Sequence, residues 1–217
     1  LESLSPKNGG NRLIWDMRYP GFKSFEGMVL YSSPNVGPKA TPGKYIIKMT
    51  YNDMVFQEEF EIVKDPRVKI SQADYQDQLE FLIDVRDEVS KANQQIIDIR
   101  RIKNNMSFIL DKTNENNELQ EMINKYLDDI SVVENNIHMT KNQSRQDPLN
   151  FGIRINNRIA FLLADSQRGD YPPTNQSKEF FSQVKEELDI EVTNLKAIIE
   201  KHSQKIEEYL KKNKIEV

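Results

Sequence analysis

Histidine and cysteine, the side chains most used in catalysis and metal binding, are scarce in this chain. There is no cysteine, which excludes disulfide bonds, thiolate metal sites and a cysteine nucleophile. The two histidines, His138 and His202, form no His-x-x-x-His or Glu-x-x-His pattern, so zinc and di-iron sites lack ligands. We interpret both as ordinary helix residues and predict no metal site and no cofactor.

Carboxylates are plentiful, but their spacing does not indicate catalysis. Glycoside hydrolysis needs two carboxyl groups held about 5 to 10 Å apart. Neighbours such as Asp128 and Asp129, or Glu186 and Glu187, point from a helix in different directions. A Ser-His-Asp triad would need a histidine lifted out of a helix, and no nucleophile-elbow or phosphate-binding glycine motif occurs. The sequence therefore predicts no catalytic residue and indicates that this chain is not an enzyme.

Arg168, Gly169 and Asp170 form an Arg-Gly-Asp tripeptide that resembles an integrin-binding motif. Three-residue matches are common by chance, and this one lies in a polar segment between two predicted helices. We interpret it as loop chemistry, and the sequence assigns it no role.

Charge and hydropathy exclude two further classes of function. The net charge is −4, from 30 basic and 34 acidic residues without a basic block, so nucleic acid is not an expected partner. No apolar run approaches the length of a membrane span, and no signal-peptide pattern is present. The chain begins with Leu1 rather than methionine, and we expect it to be part of a longer protein. Whether an upstream export signal belongs to that protein is left open by these residues, and the absence of cysteine is compatible with the periplasm and with the cytoplasm.

Glycine, proline and aromatic residues are concentrated before the run Asp65-Pro66-Arg67. Residues 1–66 hold six of the eight glycines, six of the nine prolines and nine of the nineteen aromatic residues. Such turn residues between short β-branched runs indicate antiparallel strands, whereas long stretches without them indicate helices. The sequence therefore predicts a β unit over residues 1–66 and a helical bundle over residues 67–217.

Alternating residues predict four strands in the β unit. The runs GKYIIKMTY and MVFQEEFEIV should form a hairpin around Asn52 and Asp53, and two earlier strands are expected at 12–17 and 27–32. The core-facing residues of the hairpin are Tyr45, Ile47, Met49, Tyr51, Met54, Phe56, Phe60 and Ile62. An immunoglobulin-like sandwich has about seven strands, so either the sandwich is reduced or its first strands lie upstream of Leu1.

The second part is predicted to be an antiparallel bundle of three long helices and one shorter helix. Ser71 and Asp74 form a capping-box pattern that opens a helix over 72–112, roughly 60 Å long. Its apolar seam consists of Leu82, Val85, Val89, Ala92, Ile96, Ile99, Met106 and Leu110, interrupted at Lys103. Residues 114–117 should reverse the chain.

Three more helices follow in this prediction. The second carries Leu119, Met122, Tyr126, Ile130, Val133 and Ile137 on one seam. Asp147 and Pro148 open the shorter helix, which continues through Phe151, Ile155, Ile159 and Leu162. Thr174 caps the last helix, whose seam is Phe181, Val184, Leu188, Leu195, Ile198, Ile206 and Tyr209. We interpret the seams as an intramolecular core, and a helix-mediated oligomer is the alternative.

Three motifs in the β unit carry a family resemblance. GGNRLIWDMRYPG, GPKATPGKYIIKMTY and EIVKDPRV resemble, in order and spacing, the C-terminal region of bacterial sortilin-type, BNR-repeat β-propeller proteins, often labelled glycosyl hydrolases. The helical segments from Ser71 and from Ile153 continue the resemblance over nearly the whole chain. The signature residues are Trp15, Asp16, Arg18, Tyr19, Pro20, Gly21, Pro42, Gly43, Tyr45, Asp65, Pro66 and Arg67.

The resemblance implies an extracytoplasmic immunoglobulin-like β-sandwich with a helical tail, placed after a propeller that would be its partner. No propeller blade and no Asp-box occur here, so no glycosidase residue is implied in this chain. The expected function is that of a non-catalytic C-terminal accessory module. The alternative is a glycan-binding module that uses exposed aromatic residues of the β unit.

The run from Trp15 to Gly21 also has two interpretations. A structural role would come from a cation–π contact between the Trp15 indole and the Arg18 guanidinium, which would pin a strand to the turn at Pro20 and Gly21. A ligand role would make Trp15 and Tyr19 a sugar-binding platform. We predict the structural role.

Overall fold

The computed structural model describes residues 7–113 and 116–215. Along the chain lie β1 (Gly43–Tyr51), β2 (Met54–Ile62), α1 (Gln72–Lys112), α2 (Asn117–Ile137), α3 (Pro148–Phe151), α4 (Ile155–Ser166) and α5 (Asn175–Asn213). The chain is therefore α+β, with its strands before its helices, as predicted. The predicted chain reversal at 114–117 falls partly outside the described residues.

The hairpin has the predicted strands and turn. The antiparallel register pairs Tyr45 with Phe60 and Tyr51 with Met54. Asn52 and Asp53 have φ angles of 44° and 65°, as a tight type I′ turn requires. Within the described residues this hairpin is the whole sheet.

The two earlier strands predicted at 12–17 and 27–32 are wrong. Neither stretch is a strand, and an isolated bridge joins Arg18 to Lys39 near the first of them. The physical reason is that the backbone here pairs with side chains of the helices as well as with itself. Tyr31, for example, exchanges two hydrogen bonds with the Asn157 amide, at 2.8 and 3.0 Å.

Helix α1 begins and ends as predicted. The Ser71 hydroxyl accepts from the Asp74 N–H at 3.1 Å, and the Asp74 carboxylate accepts from the Ser71 N–H at 2.8 Å, which completes the capping box. Lys103, which interrupts the apolar seam, donates to the buried Glu134 carboxylate of α2 at 2.6 Å. The polar interruption is therefore satisfied inside the bundle.

Helices α2 and α4 lie end to end along α1. Near the start of α1, Gln78 donates to the Ser166 carbonyl at the end of α4, and Asn93 further along bonds Asn156 at its start. Glu134 of α2 contacts the second half of α1. Helices α2 and α4 therefore both run antiparallel to α1, and together they take the place of one long helix. The bundle thus has three long rods, which are α1, α5 and the interrupted pair of α2 and α4.

Helix α5 completes the bundle beside both α2 and α4. Its predicted cap is confirmed, because the Thr174 hydroxyl accepts from the Ser177 N–H at 3.1 Å. Tyr209 near its end bonds Asn116 at the start of α2, so these two helices are antiparallel. The core between the rods includes the fully buried Val85, Ile96, Ile99, Leu119, Ile123, Tyr126, Ile130, Ile137, Ile159, Leu163, Leu188 and Leu195.

The single shorter helix predicted from Pro148 through Leu162 is wrong in its continuity. It is split into the one-turn α3 and the longer α4, because Gly152 between them has a φ of 85°. Asp147 makes no side-chain cap for α3. Its carboxylate instead accepts from the N–H groups of Gln143 and Ser144 at 2.7 and 2.8 Å and closes the preceding turn.

Residues 19–38, called the strap below, cross the surface of α1 and α4. Phe22 is 3% exposed and belongs to the helical core. The Asn93 amide donates to the Lys23 carbonyl at 2.7 Å, and Arg100 donates to the Glu26 carbonyl at 2.7 Å. The division at residue 66 stays a prediction, and the strap packs with the helices that follow it.

Candidate functional site: the apolar face of the hairpin

One face of the hairpin presents large apolar side chains to solvent. This apolar face consists of Tyr45, Ile47, Met49, Tyr51, Met54, Phe56, Phe60 and Ile62, with Glu58 among them. Ile47 is 58% exposed, Tyr51 53% and Phe56 48%. The sequence correctly predicted which residues share this face, but the prediction that the face is buried is wrong in the described chain.

The opposite face of the hairpin is mostly polar. Lys44 stands directly across from Glu61, and Lys48 from Gln57. Opposite charges on facing strand positions are favourable and well solvated. The hairpin is therefore amphipathic, and residues 7–113 and 116–215 provide no second layer over most of its apolar face.

Trp15 covers only the base of the apolar face. Its ring lies 6.1 Å from the rings of both Tyr45 and Phe60, and these two stack at 5.6 Å. The indole N–H donates to the Arg18 carbonyl at 2.9 Å. Trp15 remains 43% exposed, so it forms an aromatic cluster that borders the open part of the face.

The predicted cation–π contact between Trp15 and Arg18 is wrong. The Arg18 guanidinium points away and donates to the Gly37 carbonyl at 2.8 Å and to the Gln167 amide oxygen at 3.1 Å. The Arg18 N–H donates to the Asp16 carboxylate at 3.0 Å. Arg18 thus connects the aromatic cluster to the end of α4, where Gln167 follows the last helical turn.

The signature residues Tyr19, Pro20 and Gly21 lie where the two ends of the strap cross. The Tyr19 N–H donates to the Pro38 carbonyl at 2.8 Å. A Cβ atom added at Gly37 would lie 1.8 Å from the Tyr19 carbonyl oxygen, and one at Gly21 would lie 2.1 Å from the Asn35 side-chain oxygen. The crossing therefore needs glycine at position 37, where backbone leaves no room for a side chain. A side chain at position 21 would displace the Asn35 side chain, whose amide donates to the Phe22 carbonyl at 2.8 Å.

Asp65, Pro66 and Arg67 form a closed turn between β2 and α1. The Asp65 carboxylate accepts from the Arg67 N–H at 2.9 Å and from its guanidinium at 2.7 Å. These hydrogen bonds hold the pKa of Asp65 below its ordinary value. The Val68 N–H closes the turn on the Asp65 carbonyl at 3.1 Å, so this signature is also structural.

A cleft of about 210 Å³ separates the base of the hairpin from the bundle. It is lined by Pro42, Asp65, Tyr75, Gln78 and Asp170, among others. Burial and the neighbouring Asp170 carboxylate raise the pKa of Tyr75, whose hydroxyl donates to Asp170 at 3.5 Å. Of the Arg-Gly-Asp tripeptide, therefore, the aspartate faces the protein's own cleft.

Two further signature residues, Pro42 and Gly43, fix where β1 leaves this cleft. The Gln72 amide of α1 donates to the Pro42 carbonyl at 2.8 Å. Gly43 has a φ of 152°, and Tyr45 closes the bend by donating its hydroxyl to the Thr41 carbonyl at 2.7 Å. These contacts attach the hairpin base to the start of α1.

Both histidines are buried in the bundle. His202 is a helix residue of α5, as expected, whereas His138 directly follows the last residue of α2 in an extended conformation, so its interpretation as a helix residue is wrong. His202 contacts the Asp129 carboxylate at 2.9 Å and stacks on Tyr126. His138 bonds the buried Asn156 amide at 3.2 Å, and burial lowers the pKa of its imidazole. The described residues contain no group of three or more histidine and carboxylate side chains that could hold a metal ion.

Two residues of this site were missed at the sequence level. Glu58 lies on the apolar face, and the alternation of β2 could have shown this, because Glu58 is two residues from both Phe56 and Phe60. The second is Gln167, whose amide oxygen accepts a hydrogen bond from the Arg18 guanidinium. Gln167 follows α4 and lies 149 positions from Arg18 in the chain. No local pattern could have indicated that contact.

Two further findings come from comparisons with known proteins and from the length and hydropathy of the helices. Neither a family model, nor a curated protein, nor a solved structure matches this chain. Among the helices of the described ranges, none is sufficiently long and apolar to cross a bilayer. The family resemblance therefore stays a prediction.

Proposed function

We propose that this chain is a non-catalytic accessory module of a larger secreted BNR-repeat or sortilin-type β-propeller protein, where it positions the propeller or presents a binding surface. The observation that carries the proposal is the uncovered apolar face of the hairpin. A two-stranded ribbon is at best marginally stable alone in water, and a contiguous apolar patch is typical of an interaction site. A second protein layer over this face would both stabilise the ribbon and remove the apolar patch from water.

The attachment of the hairpin supports a positioning role. Arg18 connects its aromatic base to α4, and Gln72 connects Pro42 to α1. The Asp65 turn fixes the path from β2 into the first helix. A partner bound to the apolar face would therefore be held in a defined orientation relative to the bundle.

The immunoglobulin-like sandwich belongs to the same proposal. The hairpin would supply two of its strands, and the apolar face would be its inner surface, as in two sheets packed face to face. The missing strands would come from the polypeptide that precedes this segment. An extracytoplasmic location and an upstream propeller as partner follow from the family resemblance.

Glycan binding is the second candidate, and the exposure of Trp15 favours it. An indole that is 43% exposed beside Tyr45 and Phe60 offers a flat aromatic surface of the kind that packs on sugar rings. Titration with oligosaccharides should then quench or shift the fluorescence of Trp15, the only tryptophan in the chain. Unchanged emission across a panel of bacterial and plant glycans would contradict this candidate.

The main proposal is tested by the native protein in its source cells. An antibody against this chain should detect, outside the cytoplasm, a band several times heavier than 25.4 kDa. A photo-crosslinker placed at Phe56 on the apolar face should then join this segment to the polypeptide that precedes it, at the remaining strands of the sandwich or at the propeller, and the same probe at Gln57 on the opposite face should not. A cytoplasmic band at 25.4 kDa would contradict the proposal.

A further inference from the structure

The apolar face has one charged residue, and it occupies the middle position. Five residue pairs share this face, from Gly43 with Ile62 to Tyr51 with Met54, and Glu58 with Ile47 is the third of them. The described structure gives the Glu58 carboxylate no ion pair. Any protein layer that covers the face must therefore desolvate a carboxylate at its centre.

A second copy of this chain fits that position poorly. In a symmetric pair the same patch meets itself, so the two Glu58 carboxylates would approach each other near the twofold axis. Two like charges removed from water are strongly unfavourable, and no basic residue shares the apolar face. Self-association through this face is therefore opposed by its own central charge.

The edges of the hairpin are also poor docking sites. Lys44 and Lys48 project from β1, and Glu59 and Glu61 project from β2. Charged side chains on edge strands disfavour the addition of another strand, because pairing would bring them against a new neighbour. The face is thus the surface that a partner would use.

We infer that the apolar face binds a protein surface that is itself apolar and carries one lysine or arginine, which pairs with Glu58. This inference rests on the proposed function, in which the face is a docking surface. The salt bridge would compensate the desolvation of the carboxylate and fix the register of the two layers. Partners with an acidic or uncharged centre, including a second copy of this chain, would be rejected.

The first experiment measures self-association by sedimentation velocity. The wild-type chain should remain monomeric at about 100 μM, which would exclude a dimer with a dissociation constant below that concentration. Glu58→Leu should dimerise at least about tenfold more tightly, because the central repulsion is gone. Glu59→Leu, on the opposite face, is the matched control and should not dimerise. A wild-type dimer that dissociates upon Phe56→Lys substitution would overturn the inference in favour of a second copy.

The second experiment uses two cyclic β-hairpin peptides without tryptophan. Both present the same apolar face, and they differ only in a central lysine or glutamate. Binding is followed by Trp15 fluorescence, since Trp15 borders the face. The lysine peptide should bind about tenfold more tightly to the wild-type chain, and Glu58→Lys should reverse the preference.

The possible results separate the two claims. Equal binding of the two peptides would overturn the charge selection and leave the docking face intact. If neither peptide binds, both the docking face and the charge selection are overturned. A reversed preference in Glu58→Lys, with unchanged preference in Glu59→Lys, would establish the inference.

Discussion

Ile96 in the bundle and Ile47 in the hairpin were both predicted to face a core, yet Ile96 is fully buried and Ile47 is 58% exposed. In the bundle, three rods provide a partner for every apolar seam. In the hairpin, the seam is equally regular, but Trp15 covers its base and the described residues leave Ile47, Tyr51 and Phe56 about half exposed. Periodicity therefore predicts which face of an element is apolar, whereas the burial of that face depends on the presence of a second layer.

The largest expected effect is on stability. Ile96→Ala should lower the free energy of unfolding by about 2 to 5 kcal/mol, because it leaves a cavity between packed helices. Ile47→Ala, the same substitution in the hairpin, should cost about 0.5 kcal/mol or less. Urea titrations followed by circular dichroism measure both. Similar losses in the two variants would mean that the hairpin is covered in solution.

The strap provides the next comparison, since it belongs to the hairpin side in sequence and to the bundle in packing. Asn93→Ala removes the donor to the Lys23 carbonyl of the strap and also the acceptor for the Asn156 amide of α4, and should cost about 1 to 3 kcal/mol. Asn194→Ala, at an exposed position of α5, is the matched control and should change little. If the two variants melt alike, the strap does not depend on its helical contacts.

A smaller effect should appear in the pH dependence of stability. Burial lowers the pKa of His138, so below about pH 6.5 the unfolded chain binds a proton that the folded chain does not. Stability is therefore fully present above about pH 6.5 and declines as the pH falls towards the folded pKa, by at most about 1.4 kcal/mol per pH unit. Urea midpoints between about pH 7.5 and 5.5 measure this, and His138→Gln should show a weaker decline. An equal slope in the variant would contradict the assignment.

A modest loss of stability is expected at the boundary between the two regions. A fully buried indole would cost about 3 to 5 kcal/mol on truncation, but Trp15 is 43% exposed, so Trp15→Ala should cost about 1 kcal/mol. Chemical unfolding with circular dichroism is the measurement. A loss of about 3 to 5 kcal/mol would show that another layer covers the indole in solution.

Much of the fold follows from local patterns, and the remainder depends on distant contacts. The capping box at Ser71 and the turn at Asn52 and Asp53 are satisfied within a few residues, so the sequence predicts α1 and the hairpin register. The strap is different, because its conformation depends on Phe22 entering the helical core and on Asn157 from α4. No property of 13–32 alone distinguishes such a segment from a strand.

The same distinction applies to the candidate site. The sequence predicts the composition of the apolar face, including the alternation that places Tyr45 opposite Phe60. It does not predict that this face is exposed to solvent. Nor does it predict that the Arg18 guanidinium bonds Gln167 instead of contacting the Trp15 ring, because both features depend on how the hairpin packs against the bundle.

Amide hydrogen exchange can establish whether the apolar face is a docking surface, when it is measured on this chain alone and on the protein as its source cells make it. In the isolated chain, amides of β1 and β2 should exchange far faster than those of α1 and α5, because a single uncovered ribbon opens readily. In the native protein, the hairpin should become protected while the bundle stays unchanged. Hairpin amides that exchange equally fast in both samples would contradict the claim that the apolar face is a docking surface.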